Sequence, residues 1–332
     1  MKARQLKIII SDTNDPYLNL AAEEYMTRNA EEGVMTLYLW QNARTIVIGK
    51  NQNPWRECDV EAIKRDGIRL ARRISGGGAV YHDMGNLNFT FIARDDLFDI
   101  SRQTDVILKA CQQIGVDAEK NGRNDLTVDG RKFSGHAYYS SQGHNYHHGT
   151  IMMDVNSDDL SKYLTVSAEK LKSKGVASVR SRVTNLREHV GTELETAATE
   201  TLIRSMRDAM VSSAEDEYGC IAEFCPYPEV PKELLEKYSS EEWRLGDRIP
   251  FEIELTHRFD WGDTQVLLSM KGACIKTCRI FSDSLDTEMF GAVEALLTGC
   301  KYDAESIRAL AHAEAITDAS RELIEFIAMS VA

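Results

Sequence analysis

The apolar positions of this chain change period several times. After Asp15-Pro16, the residues Leu18, Ala21, Ala22, Tyr25 and Met26 recur at helical spacing. Aspartate followed by proline is the pairing that opens a helix, so a helix is expected over roughly 16–30. Short β-rich runs follow at 36–40, 45–48, 68–72 and 87–93. Helical patterns return at about 103–114, ending at Gly115, and at about 193–213. Farther on, strand-like 251–255, 265–270 and 275–281 precede helices near 287–298, 303–313 and 318–330. The strands follow one another through turns instead of alternating with helices, which predicts an α+β class over a doubly wound parallel sheet.

Punctuation divides the chain. Pro226, Pro228, Pro231 and Pro250 are four of its six prolines and surround a charged stretch with little apolar period, which reads as a linker or wrapping segment. With 332 residues two domains are the natural expectation, 1–245 and 251–332. A net charge of −13 argues against coating nucleic acid or anionic membrane, though not against a local basic site. Three consecutive isoleucines behind Lys2, Arg4 and Lys7 are too short for a signal-peptide core, and no apolar run reaches a membrane span. The seven cysteines are scattered and match no zinc or redox spacing, so they are expected to be reduced thiols and the protein cytoplasmic.

Four stretches carry candidate chemistry. The first, 72–83 (RRISGGGAVYHD), joins two arginines to three glycines whose bare backbone can form an anion-binding nest. Five basic residues against one acid over 64–73 reverse the charge of the chain locally. A plain glycine turn with a solvated basic face is the alternative, and no Walker A or G-x-G-x-x-G pattern is present. The second, 124–135 (NDLTVDGRKFSG), holds Asp129-Gly130 between two extended runs, a hairpin signal. A two-residue turn there pairs Asp125 with Ser134 and Leu126 with Phe133, gathering Asp125, Thr127, Lys132 and Ser134 on one face. That face is either an exposed polar edge or a lysine-and-carboxylate site for phosphate. The third, 170–187, has six basic residues and no acid, reading as a lid over an anion or a solvated loop. In the fourth, His136, His144, His147 and His148 lack the cysteines or helix spacing of a zinc site, and packing or ligand contact is their expected role. With no G-x-S-x-G elbow and no cysteine nucleophile near a base, the residues alone point to electrostatic chemistry on an anionic ligand.

At these same residues the chain resembles the bacterial lipoate–protein ligase A family of the biotin/lipoate ligase superfamily. The resembling stretches are 11–24, 47–58, 72–91 (RRISGGGAVYHDMGNLNFTF), 122–138 (GRNDLTVDGRKFSGHAY), 147–150 (HHGT), 174–186 (KGVASVRSRVTNL), 259–262 and 280–285 (IFSDSL). The resemblance implies a large catalytic domain with a mixed, mostly antiparallel sheet and helices, followed by a small α+β accessory domain. It implies that lipoate and ATP, with Mg²⁺ and no bound redox cofactor, give lipoyl-AMP and pyrophosphate. The lipoyl group would then pass to a lysine on apo-lipoyl domains of 2-oxoacid dehydrogenase acyltransferase subunits or on glycine cleavage H protein. Neither nucleic acid nor membrane is an implied partner.

Carried over residue by residue, Lys132 is the catalytic lysine. Arg73, Ser75, Gly76, Gly77, Gly78, Ala79, Val80, Tyr81, Asn86, Asn124, Gly135, His148, Gly149 and Arg180 would bind lipoate and ATP, and Asp125 is the candidate Mg²⁺ contact. Apolar residues such as Phe91 and Val47 would line the acyl tunnel. Position 136 is His where the family often carries Ser or Asn after Ser-Gly, and Ile74 sits within the arginine–serine stretch; both departures leave the lysine motif intact, and either could shift acyl-chain preference. A biotin ligase would show a G-R-x-x-G-R type loop, and an octanoyltransferase a cysteine in the span between Lys132 and Val183, which has none. The remaining alternatives are a lipoyltransferase using preformed lipoyl-AMP and a non-catalytic lipoate or nucleotide binder.

Overall fold

The computed structural model describes residues 2–122, 124–165, 183–246, 250–313 and 316–331. Two compact units emerge. The larger comprises Met1–Val47, Trp55–Ile74 and Val80–Arg244; the smaller comprises Ile48–Pro54, Ser75–Ala79 and Leu245–Ala332.

Strands of the larger unit are β1 (Gln5–Ile10), β2 (Val34–Trp40), β3 (Thr45–Ile48), β4 (Arg69–Arg72), β5 (Val80–His82), β6 (Asn86–Arg94), β7 (Glu119–Asn121), β8 (Asp125–Val128), β9 (Arg131–Ser141), β10 (His144–Met152) and β11 (Ala222–Cys225). Eight of them form one sheet in the order β11-β1-β2-β6-β10-β9-β8-β7, and β4-β3-β5 form a second. In the large sheet β1 runs parallel to β2 and β11, while the pairings of β2 with β6, β6 with β10, β10 with β9, β9 with β8 and β8 with β7 are antiparallel.

Both faces of this sheet are covered, and strand alternation sorts residues between them. On β6, Leu87, Phe89, Phe91 and Ala93 join Val106, Ile107 and Ala110 of the helix Ile100–Gln113 and Leu202, Met206 and Met210 of the helix Thr199–Tyr218 in one core. Burying rings such as Phe89 and Phe91 contributes roughly 1.5–3 kcal/mol each. Ile92 points the other way, into a second core with Tyr38, Trp40, Tyr146 and the helix Pro16–Arg28. Asn86, Asn88 and Thr90 share that second face by the same alternation. The helix starts where the sequence predicts, with the Asp15 carboxylate accepting from the Tyr17 and Leu18 backbone N–H groups.

The proline-rich stretch departs from the linker expectation. It contains the helices Lys232–Ser239 and Glu241–Leu245, and buried Leu234 and Tyr238 belong to the second core. Buried Glu24 accepts from Lys237 Nζ at 2.7 Å and Tyr238 Oη at 2.6 Å, and also pairs with Arg28. Arg72 donates to the carbonyls of Trp243 (2.8 Å) and Arg244 (3.0 Å) and accepts the Trp243 indole N–H on its own carbonyl (2.8 Å). Two turns of helix with two apolar anchors leave too short a pattern to stand out between prolines.

The smaller unit is an antiparallel meander of β12 (Ile253–Phe259), β13 (Gly262–Lys271) and β14 (Cys274–Ser282) packed on the helices Met289–Leu297 and Asp318–Met329. Segments 48–54 and 75–79 are stitched to it. Ser282 N–H donates to Asn51 O at 2.9 Å, Asn51 Nδ2 to Thr287 O at 3.0 Å, and Gly77 N–H to Ser284 O at 3.0 Å. No helix among the described residues is long and apolar enough to cross a membrane.

Candidate active site

The β8–β9 hairpin turns as the sequence indicates. Asp129 (φ 51°) and Gly130 (φ 71°) are both left-handed, as a tight two-residue hairpin requires. Val128 pairs with Arg131 and Thr127 with Lys132, and then the register slips. Leu126 pairs with Ser134 and Asp125 with Gly135, so a bulge leaves Phe133 unpaired. The expected pairing of Asp125 with Ser134 is therefore corrected: Ser134 turns into the core, and Gly135 takes its place beside Lys132. Lys132 Nζ lies 2.7 Å from Asp125 Oδ1, a close charge contact without hydrogen-bond alignment. A Cβ on Gly135 would sit 2.8 Å from Nζ, so the bare residue is what lets the lysine lie there.

The register carries this face of the sheet onward. Gly135 pairs with Thr150, and His148, two residues before Thr150, pairs with Thr90. Glu23, from the covering helix, binds His148 Nδ1 at 2.8 Å and accepts from Thr90 Oγ1 at 2.7 Å; Trp40 Nε1 donates to Thr90 Oγ1 at 3.0 Å. Beside them Asn86 Nδ2 donates to Asn88 Oδ1 at 2.9 Å, leaving Asn86 Oδ1 and Asn88 Nδ2 buried without a partner among the described residues. His82 adds a third such atom. Its Nδ1 accepts from Asn42 Nδ2 at 3.1 Å, and burial, with Arg73 and His148 nearby, pushes its pKa down to about 3. The ring is thus neutral with its proton on Nε2, which has no acceptor. An unmade buried hydrogen bond costs about 1–3 kcal/mol, so these three atoms make this face a candidate for polar ligand contact, although unpartnered buried atoms also occur elsewhere, as at Gln103 and Tyr218.

Arg73 is buried, donates to Val47 O at 3.1 Å, and is pulled down to about 10 by burial against the opposing pull of Tyr146 and Glu23; it remains a cation at neutral pH. Val80 pairs with Val47, and Tyr81 Oη donates to Asp159 at 3.0 Å. Asn124 Nδ2 donates to His136 O at 2.9 Å. Gly149 is forced by packing, since a Cβ there would meet Gly135 O at 2.6 Å and Phe89 Cζ at 2.7 Å. Ser75, Gly76, Gly77, Gly78 and Ala79 belong to the smaller unit. A Cβ on Gly76 would overlap the Ser284 carbonyl, so that glycine serves a backbone–backbone approach inside the protein. Arg180 lies outside the described residues, as does most of the basic 170–187 stretch.

Several expectations change. Phe91 packs in the helix-covered core on the opposite face from Lys132, whereas Val47 lies in the core on the site face. The basic 64–73 stretch is largely consumed internally: Arg65 pairs with Asp66 and Arg69 with Asp15, each at 2.9 Å, while Arg72 holds the 232–245 helices. Among the described residues no cluster of three His, Cys, Asp or Glu could hold a metal. All seven cysteines are free, and burial pushes the thiols of Cys58, Cys111 and Cys278 up to about 12, far from nucleophilic. Glu23, Trp40, His82, Asn88 and Thr90 were not singled out from the sequence. The alternation in 86–91 (NLNFTF), polar on every second residue of a strand, was the available signal.

Residues 15–210 match the lipoyl protein ligase A/B catalytic domain family, and residues 248–328 match the bacterial lipoate protein ligase C-terminus. LipL1 of P. falciparum, solved in complex with lipoate, is 26% identical with a TM-score of 0.81, covering 96% of this chain and 99% of its own. The bipartite lipoate protein ligase of Thermoplasma acidophilum, studied with its E2 lipoyl domain, is 28% identical with a TM-score of 0.63, covering 74% of this chain and 97% of its own. A lipoate-protein ligase A bound with ATP is 26% identical with a TM-score of 0.61, covering 74% and 99%. With its catalytic and C-terminal regions both matched, this chain belongs to the lipoate–protein ligase family of enzymes.

Proposed function

We propose that this enzyme joins lipoate to protein lysines in two steps at the Lys132 face. In the first, a carboxylate oxygen of lipoate attacks the α-phosphorus of ATP and pyrophosphate leaves. In the second, the amine of an acceptor lysine attacks the acyl carbonyl, AMP leaves, and an amide forms. The observation that carries the reading is Lys132, held at 2.7 Å from Asp125 over a residue with no side chain. Anion meeting anion in the first step needs positive charge preorganised where negative charge develops, worth about 2.7–4 kcal/mol per well-placed donor. Arg73 is a second cation, and the unpaired Asn86, Asn88 and His82 atoms supply neutral contacts. Nucleotide-borne Mg²⁺ keeps waters and needs only one or two protein carboxylates, which fits Asp125 alone better than a dedicated cage. Bound there, it would neutralise phosphate charge. Lipoate and ATP in structures of relatives support the substrates, and the archaeal E2 lipoyl domain supports an acceptor of 2-oxoacid dehydrogenase type, with glycine cleavage H protein a further acceptor.

The test is pyrophosphate release with ATP, Mg²⁺ and lipoate and no acceptor. The wild type should release it and form lipoyl-AMP, and Lys132→Ala should lose ~10²-fold or more. If the wild type modifies an acceptor only when given synthetic lipoyl-AMP, it is a transferase and the activation step is refuted.

A further inference from the structure

We infer that His136 is a positioning residue for Lys132, acting from the opposite face of the sheet through the β9 bulge. The inference rests on the role of Lys132 proposed above. Lys132 and Gly135 are three residues apart, a spacing that puts two side chains on opposite faces of a regular strand. They share a face here because Phe133 and Ser134 both turn into the helix-covered core, where each is essentially inaccessible.

A hydroxyl in such a core needs a partner, and Ser134 has one. Its Oγ lies 3.0 Å from His136 Nε2; His136 Nδ1 lies 3.0 Å from His147 Nε2; His147 Nδ1 lies 3.0 Å from Gln103 Oε1. The rings are 4.7 Å apart, and Phe89 meets both edge-on at 5.3 and 5.4 Å. As the Gln103 amide is oriented, its oxygen faces His147 and its Nε2 is buried without a partner among the described residues; with the oxygen accepting, every other bond in the chain follows. His147 donates from Nδ1 and accepts on Nε2, His136 donates from Nδ1 and accepts on Nε2, and Ser134 donates its O–H. Two neutral imidazoles thus connect the bulge to the helix Ile100–Gln113, with each link made once.

The same residue reaches the other half of the ion pair. His136 N–H donates to Asn124 O at 2.8 Å and His136 O accepts from Asn124 Nδ2 at 2.9 Å, next to Asp125. His136 therefore does not touch the ligand face, contrary to a direct influence on acyl length. Without the relay, Ser134 loses its buried partner and the regular register, Asp125 opposite Ser134, competes. Residue 135 would then leave the lysine's face.

The experiment compares Ser134→Ala, His136→Phe, His136→Gln and Lys132→Ala in acceptor-free pyrophosphate release, with folded fraction followed by circular dichroism. His136→Phe, which leaves the buried Ser134 hydroxyl without a partner, should lower kcat roughly 10–100-fold while KM for lipoate stays within about threefold. Ser134→Ala, which removes the hydroxyl and with it the need for a partner, should hold kcat near wild type, and the Ser134→Ala/His136→Phe double variant should regain most of what His136→Phe loses. His136→Gln, which can still accept from Ser134, should recover most of the loss. An inactive Lys132→Ala beside His136→Phe with wild-type kcat would overturn the relay. A fully active Lys132→Ala would instead overturn the role of the lysine. If His136→Phe fails to fold, His136→Gln decides alone, and a folded His136→Gln with kcat lowered roughly 10-fold or more would overturn the relay.

Discussion

Two glycines of the same hairpin neighbourhood should respond to alanine in opposite ways. Gly135 lies in an ordinary strand, and a Cβ there meets Lys132 Nζ at 2.8 Å, Lys132 Cε at 3.0 Å and Asp125 Oδ1 at 3.9 Å. To reach van der Waals separation of ~3.5 Å, the ammonium must retreat by roughly 0.7 Å. A 1 Å misplacement of a catalytic group costs about 10²-fold, or about 2.7 kcal/mol of transition-state stabilisation. Only the far end of a flexible, part-exposed side chain has to move, and alanine loses less chain entropy than glycine on folding, by ~0.4–1 kcal/mol. Gly135→Ala should therefore keep its Tm, or raise it slightly, while adenylation falls about 10–100-fold. Gly149→Ala puts its Cβ 2.6 Å from Gly135 O, 2.7 Å from Phe89 Cζ and 2.9 Å from His136 Cδ2, all inside the sheet. Overpacking of that kind costs ~1–3 kcal/mol and shifts Tm by roughly 2–4 °C per kcal/mol. The assays are pyrophosphate release at saturating ATP and lipoate, and thermal unfolding of the same samples. Wild-type turnover in Gly135→Ala would refute the placement of the lysine, as would loss of stability matching that of Gly149→Ala.

Other consequences can be measured alongside. His82 and His136, both pushed down to about 3, and His147, pushed well below its usual value, are kept neutral in the fold chiefly by burial, whereas an unfolded chain protonates them near pH 6.5. The unfolded state then binds more protons, so stability is complete above pH 6.5 and declines as pH falls toward 3, by about 1.4 kcal/mol per unit for each histidine. A Tm unchanged from pH 7.5 to 5 would contradict this, and His82→Asn should make the decline shallower. Gly76→Ala should destabilise the smaller unit by ~2 kcal/mol or more, because its Cβ would overlap backbone atoms of Ser284 and Leu285; unaltered denaturant unfolding would count against that close approach. Glu24→Ala leaves Lys237 and buried Tyr238 without their shared acceptor and should cost roughly 3 kcal/mol, read as a lower urea midpoint.

Much of the fold is legible in the sequence. The run 45–48 is a strand to the residue, and the Asp15-Pro16 helix start is where capping chemistry puts it, because local signals suffice there. The turn at Asp129-Gly130 was legible for the same reason: a left-handed pair is an intrinsic preference of those residues. The bulge after Lys132 was not. It depends on a hydrogen-bond chain ending on Gln103, some thirty positions away in sequence, and no local pattern encodes it. Glu23 likewise read as one more polar position in a helix, since the groups that occupy it, Thr90 and His148, arrive on strands far along the chain. Gly76 was read for its freedom to approach a ligand, yet the backbone it approaches is that of Ser284.

The most direct test of the whole account follows a single sample through both half-reactions. Purified protein is given ATP, Mg²⁺ and lipoate, and mass spectrometry follows the small molecules; an apo-lipoyl domain is then added and its mass followed. Lipoyl-AMP should appear with stoichiometric pyrophosphate before the acceptor is present, and then the mass of one lipoyl group on one acceptor lysine as AMP appears. Absence of adenylate and of acceptor modification, from protein that is folded and monodisperse, would contradict it.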